Sequence, residues 1–187
     1  MRFACAQEPS KPPPPDRDAQ VIEAVLVDLL TTPKVHLEEP NEKEKKIYFR
    51  LDSPHVQPVG LGLLQRYDKR EWEKLSAAQT RAAEAAAKDL LRRAGEKKLV
   101  QPFKPRDERI IVYTQEHEER DNANSRPFRE PQVFRVAPPG YARDGQLALL
   151  SLRFSWSGGF HGGAARYLLV RKGDMWDVLL RDVVLFP

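Results

Sequence analysis

Leu147-Ala148-Leu149-Leu150-Ser151-Leu152-Arg153-Phe154-Ser155-Trp156 decides how the rest of the chain is read. Its even-numbered positions, Ala148, Leu150, Leu152, Phe154 and Trp156, are all apolar, while Ser151, Arg153 and Ser155 alternate with them. A period of two marks a half-buried β-strand, because successive side chains leave a strand on opposite faces. Ser157-Gly158-Gly159-Phe160-His161-Gly162-Gly163 then interrupts the alternation and reads as a Gly-rich loop. Two more strands are expected beyond it, over 165–171 and 176–186, joined by a turn at Lys172-Gly173-Asp174. The C-terminal third is therefore a three-stranded meander.

Toward the N-terminus the period changes. Val21, Ile22, Val25, Leu26, Leu29 and Leu30 form the stripe of an amphipathic helix, capped by Asp16 or Asp18 and stopped by Thr31-Thr32-Pro33. Short strands are expected at 35–37 and at Ile47–Leu51, followed by a loop containing Pro54, Pro58, Gly60 and Gly62. Ser76 opens the longest helix, with Gln79 completing a capping box. Ala82, Ala83, Ala86, Ala87, Leu90 and Leu91 give that helix a flat face for a sheet, and Gly95 stands where a C-terminal cap belongs. A strand is expected over 109–114, a long exposed loop over 115–131, and a short strand over 132–136. The fold class is α+β: an antiparallel sheet with the C-terminal meander, and two main helices packed on one face. Residues 17–187 are read as one domain, preceded by a tail over 1–16.

Charge and composition narrow the function. The formal net charge is +4, and it is local: residues 66–98 hold ten of the 31 basic and six of the 27 acidic residues, so the other 21 of each sign balance. A nucleic-acid surface clusters its cations without interleaved acids. Here Glu71, Glu73, Glu84, Asp89 and Glu96 dilute the basic stretch over 66–98, so weak nucleic-acid binding through the basic helix over 76–98 is an alternative rather than the main reading. No stretch of sequence approaches the ~20 apolar residues of a membrane-spanning helix. Cys5 is the only cysteine, which excludes an intrachain disulfide. Ala4-Cys5-Ala6 matches the small-x-small end of a secretory signal peptide whose apolar core would lie upstream of Met1, and Pro12-Pro13-Pro14-Pro15 suits a stiff stalk after it. Export to the periplasm or the medium is the expectation, with a cytoplasmic location as the alternative.

Chemistry-bearing residues are few. His36, His55, His117 and His161 have no metal-ligand spacing, so neither metal nor cofactor is expected. Ser151, Ser155 and Ser157 lie near His161 in sequence, and Asp182 completes a possible triad. None of those serines has the strand–turn–helix setting of a nucleophile elbow, so a hydrolase centred on His161 remains an alternative. Asp182 shares the parity of Trp176, Val178 and Leu180, and should find a partner such as Arg153 or Arg181, or be turned outward by a bulge. Trp156, Phe160 and His161 around the Gly-rich loop are the candidate residues for binding a protein or small-molecule partner.

Gly140-Tyr141-x-x-Asp144-Gly145-x-x-Ala148-Leu149, Gly158-Gly159-x-x-Gly162-Gly163, Tyr167-Leu168-Leu169 and Gly173-Asp174-x-Trp176-x-Val178 together resemble the C-terminal part of many small, uncharacterised exported bacterial proteins. The resemblance covers about half the chain and implies no activity. Such proteins often have a cysteine in the Gly-rich loop, where this chain has Phe160 and His161. In shape, a meander with a packed helix is also similar to cystatin-like and nuclear-transport-factor-2-like folds. These features converge on an exported, non-catalytic binding or structural domain.

Overall fold

A computed structural model of the chain describes residues 17–31, 46–51, 72–95, 103–123, 133–156 and 161–186. The tail over 1–16, the strand expected at 35–37, the loop with Pro54 to Gly62, and Phe160 lie outside the described residues. The elements run α1 (Arg17–Thr31), β1 (Ile47–Leu51), α2 (Ala77–Gly95), β2 (Ile110–Val112), α3 (Gln115–Ala123), β3 (Val133–Val136), β4 (Gly140–Tyr141), β5 (Leu147–Trp156), β6 (His161–Lys172) and β7 (Met175–Phe186).

The α+β class and the C-terminal meander are as expected. The sheet is mixed, in the order β2-β1-β3-β5-β6-β7, with β4 pairing β5 beyond the end of β3. β1 runs parallel to both β2 and β3, and the remaining pairs are antiparallel. Parallel neighbours need a crossover connection, and α2 stands between β1 and β2 in sequence.

The two main helices cover opposite faces rather than one. α1 buries Val21, Ile22, Val25, Leu26 and Leu29 against Ala148, Leu150, Leu152 and Phe154 of β5 and Ala165, Tyr167 and Leu169 of β6. α2 buries Ala83, Ala86, Ala87 and Leu90 against Leu147, Leu149, Leu168 and Leu180, which have the opposite parity. β5 is thus covered on both sides, not half-buried, and its alternation records two kinds of cover rather than core and solvent.

The capping box at the start of α2 is formed in both directions. Gln79 N–H donates to Ser76 Oγ at 3.2 Å, and Ser76 N–H donates to Gln79 Oε1 at 2.9 Å. The alanine face lets the helix lie directly on the sheet. A Cβ at Gly140 would fall 2.2 Å from the Ala86 carbonyl oxygen, so only glycine fits beneath α2. Leu91 points outward, half-exposed, since Leu90 already fills that turn of the contact face. Gly95 is the last residue of α2 and is not among the glycines with positive φ, so it is not the expected left-handed cap.

Residues 115–131 do not begin as a loop. Gln115–Ala123 is α3, whose formation depends on its ends and charges rather than on an apolar stripe. Thr114 accepts through its carbonyl from the amides of His117 and Glu118, and His117 Nδ1 reaches back to the Thr114 amide at 3.2 Å. The return bond is half of a capping box, with histidine in place of Glu or Gln, while the first-turn amides bond the Thr114 carbonyl rather than its hydroxyl. Glu116 and Glu118 in the first turn and Arg120 in the last complement the helix dipole.

Among the described residues β4 pairs only with β5, and at its outer edge the two helices meet. Asp18 of α1 receives Arg93 of α2 at 2.6 Å and the Tyr141 hydroxyl at 2.7 Å. Asp89 accepts from the Tyr141 amide at 3.0 Å, and Arg93 donates to the Pro139 carbonyl. The edge groups that another strand would pair are therefore occupied by helix side chains. Arg17 stacks 3.9 Å above the Tyr141 ring and donates to the Gly145 carbonyl. Burial, then the charge of Asp18, pushes the Tyr141 phenol well above its ordinary range, so it remains a neutral donor.

Candidate binding face

β5 and β6 pair over ten positions, from Leu147↔Val170 to Trp156↔His161. β6 begins at His161, so Gly162 and Gly163 are strand residues rather than the second half of the expected loop. Gly162 pairs with both Ser155 and Phe186, and Gly163 with Phe154 and Leu185, so these glycines continue two ladders at once. The register places Trp156 and His161 opposite each other at the end of the hairpin. Their side chains, those of Ser155 and Ser157, and the whole of Phe160 lie outside the described residues.

The face beneath α2 changes character along the strands. At one end Leu147, Leu149, Leu168 and Leu180 are apolar and covered by the helix. Toward the hairpin end the same parity carries Ser151, Arg153, Arg166 and Asp182. Ser151, Arg166 and Asp182 are three of the four buried polar residues among the described ones, at 0%, 2% and 5% exposure. They form one lateral row, since Ser151 pairs with Arg166 and Arg166 with Asp182.

A bulge makes that row possible. Leu168 pairs with Leu180 and Leu169 with Val178, leaving Leu179 as the extra residue of β7. Each side of the bulge therefore has its own parity. Trp176 and Val178 face α1, while Leu180 and Asp182 face α2, so the four do not share one face as the sequence parity suggests. The partner of Asp182 is Arg166, at 3.9 Å, and neither Arg153 nor Arg181. Arg181 lies on the other face and pairs with Asp28 of α1.

A second row runs across three strands. Arg50 of β1 pairs in register with Arg135 of β3, and Arg135 with Arg153 of β5. All three have the parity of Ser151, and thus share the α2 side of the sheet. Like charges directly opposite on adjacent strands are destabilising unless something compensates them. Glu118 of α3 does so for Arg50, at 3.1 Å. Arg153 is half-buried, and its Nε is buried without a hydrogen-bond partner, as is Ser151 Oγ. The sequence shows each arginine on the polar parity of its own strand; only the register brings them into line.

The possible triad is not assembled by what is described. Ser151 and Asp182 stand on either side of Arg166, to which Asp182 is committed. His117 is engaged with Thr114 and packs beside Tyr113, with ring centroids 5.6 Å apart. Among the described residues no group of three His, Cys, Asp or Glu side chains could hold a metal ion. None of the helices among them is long and apolar enough to cross a membrane. On α2, Arg92 pairs with Asp89 and Arg93 with Asp18, so two cations of the basic helix are used internally. No protein-family model matches the chain, and no curated protein or solved structure matches it either.

Proposed function

We propose that this chain is a non-catalytic binding domain, carried out of the cell, whose ligand or partner sits at the hairpin end of the sheet. The contact would run from the polar face of β3, β5 and β6 to Trp156, Phe160 and His161. The observation that carries this reading is the strip Ser151, Arg153, Arg166 and Asp182, which continues the apolar ground under α2 with buried and half-buried polar groups. Buried polar groups reduce stability unless satisfied, so their concentration in one place favours a binding role over packing. Nothing in the strip pairs a nucleophile with a base, which favours binding over catalysis. Export is supported by Ala4-Cys5-Ala6 and the proline run alone.

A fragment screen followed by backbone amide shifts tests the location. Hits are expected to move the amides of 133–136, 151–156 and 161–166. Hits gathering at the α1 face would remove the proposed surface. A panel of chromogenic esters tests the class: turnover that disappears in His161→Ala would replace the binding domain with a hydrolase. An in-frame apolar segment upstream of Met1 is the result expected for export.

A further inference from the structure

The geometry points to an oxyanion site on the α2 side of the sheet, formed by Arg153 and Ser151 beside the charge of Arg135, with a phosphate group as its ligand. This rests on the binding-domain reading and gives that surface its chemistry. Arg50, Arg135 and Arg153 lie side by side on three consecutive strands. Such a row is repulsive and persists where an anion compensates it. The carboxylates described on this face are already committed, Glu118 to Arg50 and Asp182 to Arg166. Arg135 has an interaction of its own, yet its charge still stands directly opposite Arg153.

Two donors are left over at the same place. Arg153 has a buried Nε without a partner, and Ser151, two residues along the same strand on the same face, has a sealed hydroxyl without one. The Cα atoms of residues two apart on a strand stand roughly 7 Å apart, so the two side chains border the same patch of the α2 face. A buried native polar group without a partner calls for an unobserved one, and an oxyanion entering beside half-buried Arg153 would satisfy both groups. Guanidinium forks suit phosphate and carboxylate alike. The additional hydroxyl, deeper in the face, favours the ligand with acceptor oxygens in more than one plane, which is phosphate.

The test uses the full chain, titrated with inorganic phosphate, with glycerol 2-phosphate and with acetate at matched ionic strength, read by amide shifts and thermal unfolding. Saturable shifts at Ser151, Arg153 and Arg135 are expected with phosphate and not with acetate. Arg153→Gln should weaken binding at least tenfold, and Arg153→Lys at least threefold through loss of the fork. Arg135→Gln, at an exposed position, should weaken it about threefold and serves as the test if Arg153→Gln does not fold. Tighter binding of glycerol 2-phosphate assigns the site to a phosphate ester, and equal binding assigns it to the free anion; either supports it. No saturable response, an equal response to acetate, or wild-type affinity in both the Arg153→Gln and Arg135→Gln variants overturns it. Loss of phosphate binding with fragments still gathering on this face removes the phosphate site alone. Ester turnover dependent on His161 removes the binding-domain reading instead.

Discussion

The two faces of the sheet are built from the same strands and spend them differently. The α1 side is apolar across the middle of the sheet, closed by Phe49, Phe134, Leu150, Tyr167 and Trp176, with the Arg181–Asp28 pair toward its β7 edge. The α2 side is apolar only under the alanines of the helix and then turns to Ser151, Arg153, Arg166 and Asp182. One face holds the fold together well enough for the other to carry charge in its middle. Burial of apolar area stabilises by roughly 25 cal/mol per Å², whereas a buried ion pair contributes little against a hydrophobic replacement. The difference assigns most of the stability to one side and leaves the other free for the binding role proposed above.

The largest expected effect lies on the apolar side. Trp176→Ala should cost about 3–5 kcal/mol in urea unfolding, since the indole is 6% exposed within the α1 cluster. A loss below ~1 kcal/mol would mean that the α1 face is not the main source of stability. On the polar side, Asp182→Ala should cost about 3 kcal/mol by removing the carboxylate that faces the buried Arg166 charge. The double change Arg166→Met with Asp182→Leu should recover most of that loss. If the double variant is as unstable as the single one, the pair is a structural necessity and the division between the faces fails.

Gly140→Ala tests the contact that brings α2 down onto the sheet. Its Cβ would meet helix backbone at Ala86 and Leu90, which has no flexible end to move aside. The expected cost is about 2 kcal/mol, with α2 displaced rather than α1. An unchanged melting temperature would show that the helix rides higher than described.

The smallest effect is in acid. Burial acts to raise the Asp89 pKa, but hydrogen bonds from Arg92 and the Tyr141 amide, with the Arg92 and Arg93 charges, outweigh it and hold the group below its ordinary range. A depressed folded-state pKa stabilises above the unfolded value of about 3.9 and is lost as pH falls through the folded value. The stability difference between wild type and Asp89→Asn should therefore be constant above about pH 5 and shrink below pH 4. A difference that grows as the pH falls would reverse the sign and the assignment.

Much of the fold was legible because it is written in short periods. The stripe from Val21 to Leu30 and the Ser76–Gln79 capping box reappear as read, and the alternation of 147–156 reappears as a strand, although one covered on both faces. α3 was missed because a charged helix held by its ends has no apolar period to detect. The bulge that sequence parity offers as a way to turn Asp182 outward lies at Leu179 and instead swings Asp182 to the α2 face, where it is buried; the apolar run Val178-Leu179-Leu180 hides that change of face. Of the candidate site, Trp156 and His161 take the paired positions that the hairpin gives them, while Phe160 lies outside the described residues.

The sequence by itself determined which segments become helix and strand, through periodicity, caps and turns that act within a few residues. It also determined that the C-terminal strands form a meander, since a short turn allows their antiparallel pairing. Tertiary structure alone decided that α1 and α2 take opposite faces, that Asp182 belongs to Arg166, and that Arg50, Arg135 and Arg153 form one row. Each of these depends on register between strands distant in the chain. Register is set by the whole sheet packing at once, so no local pattern contains it.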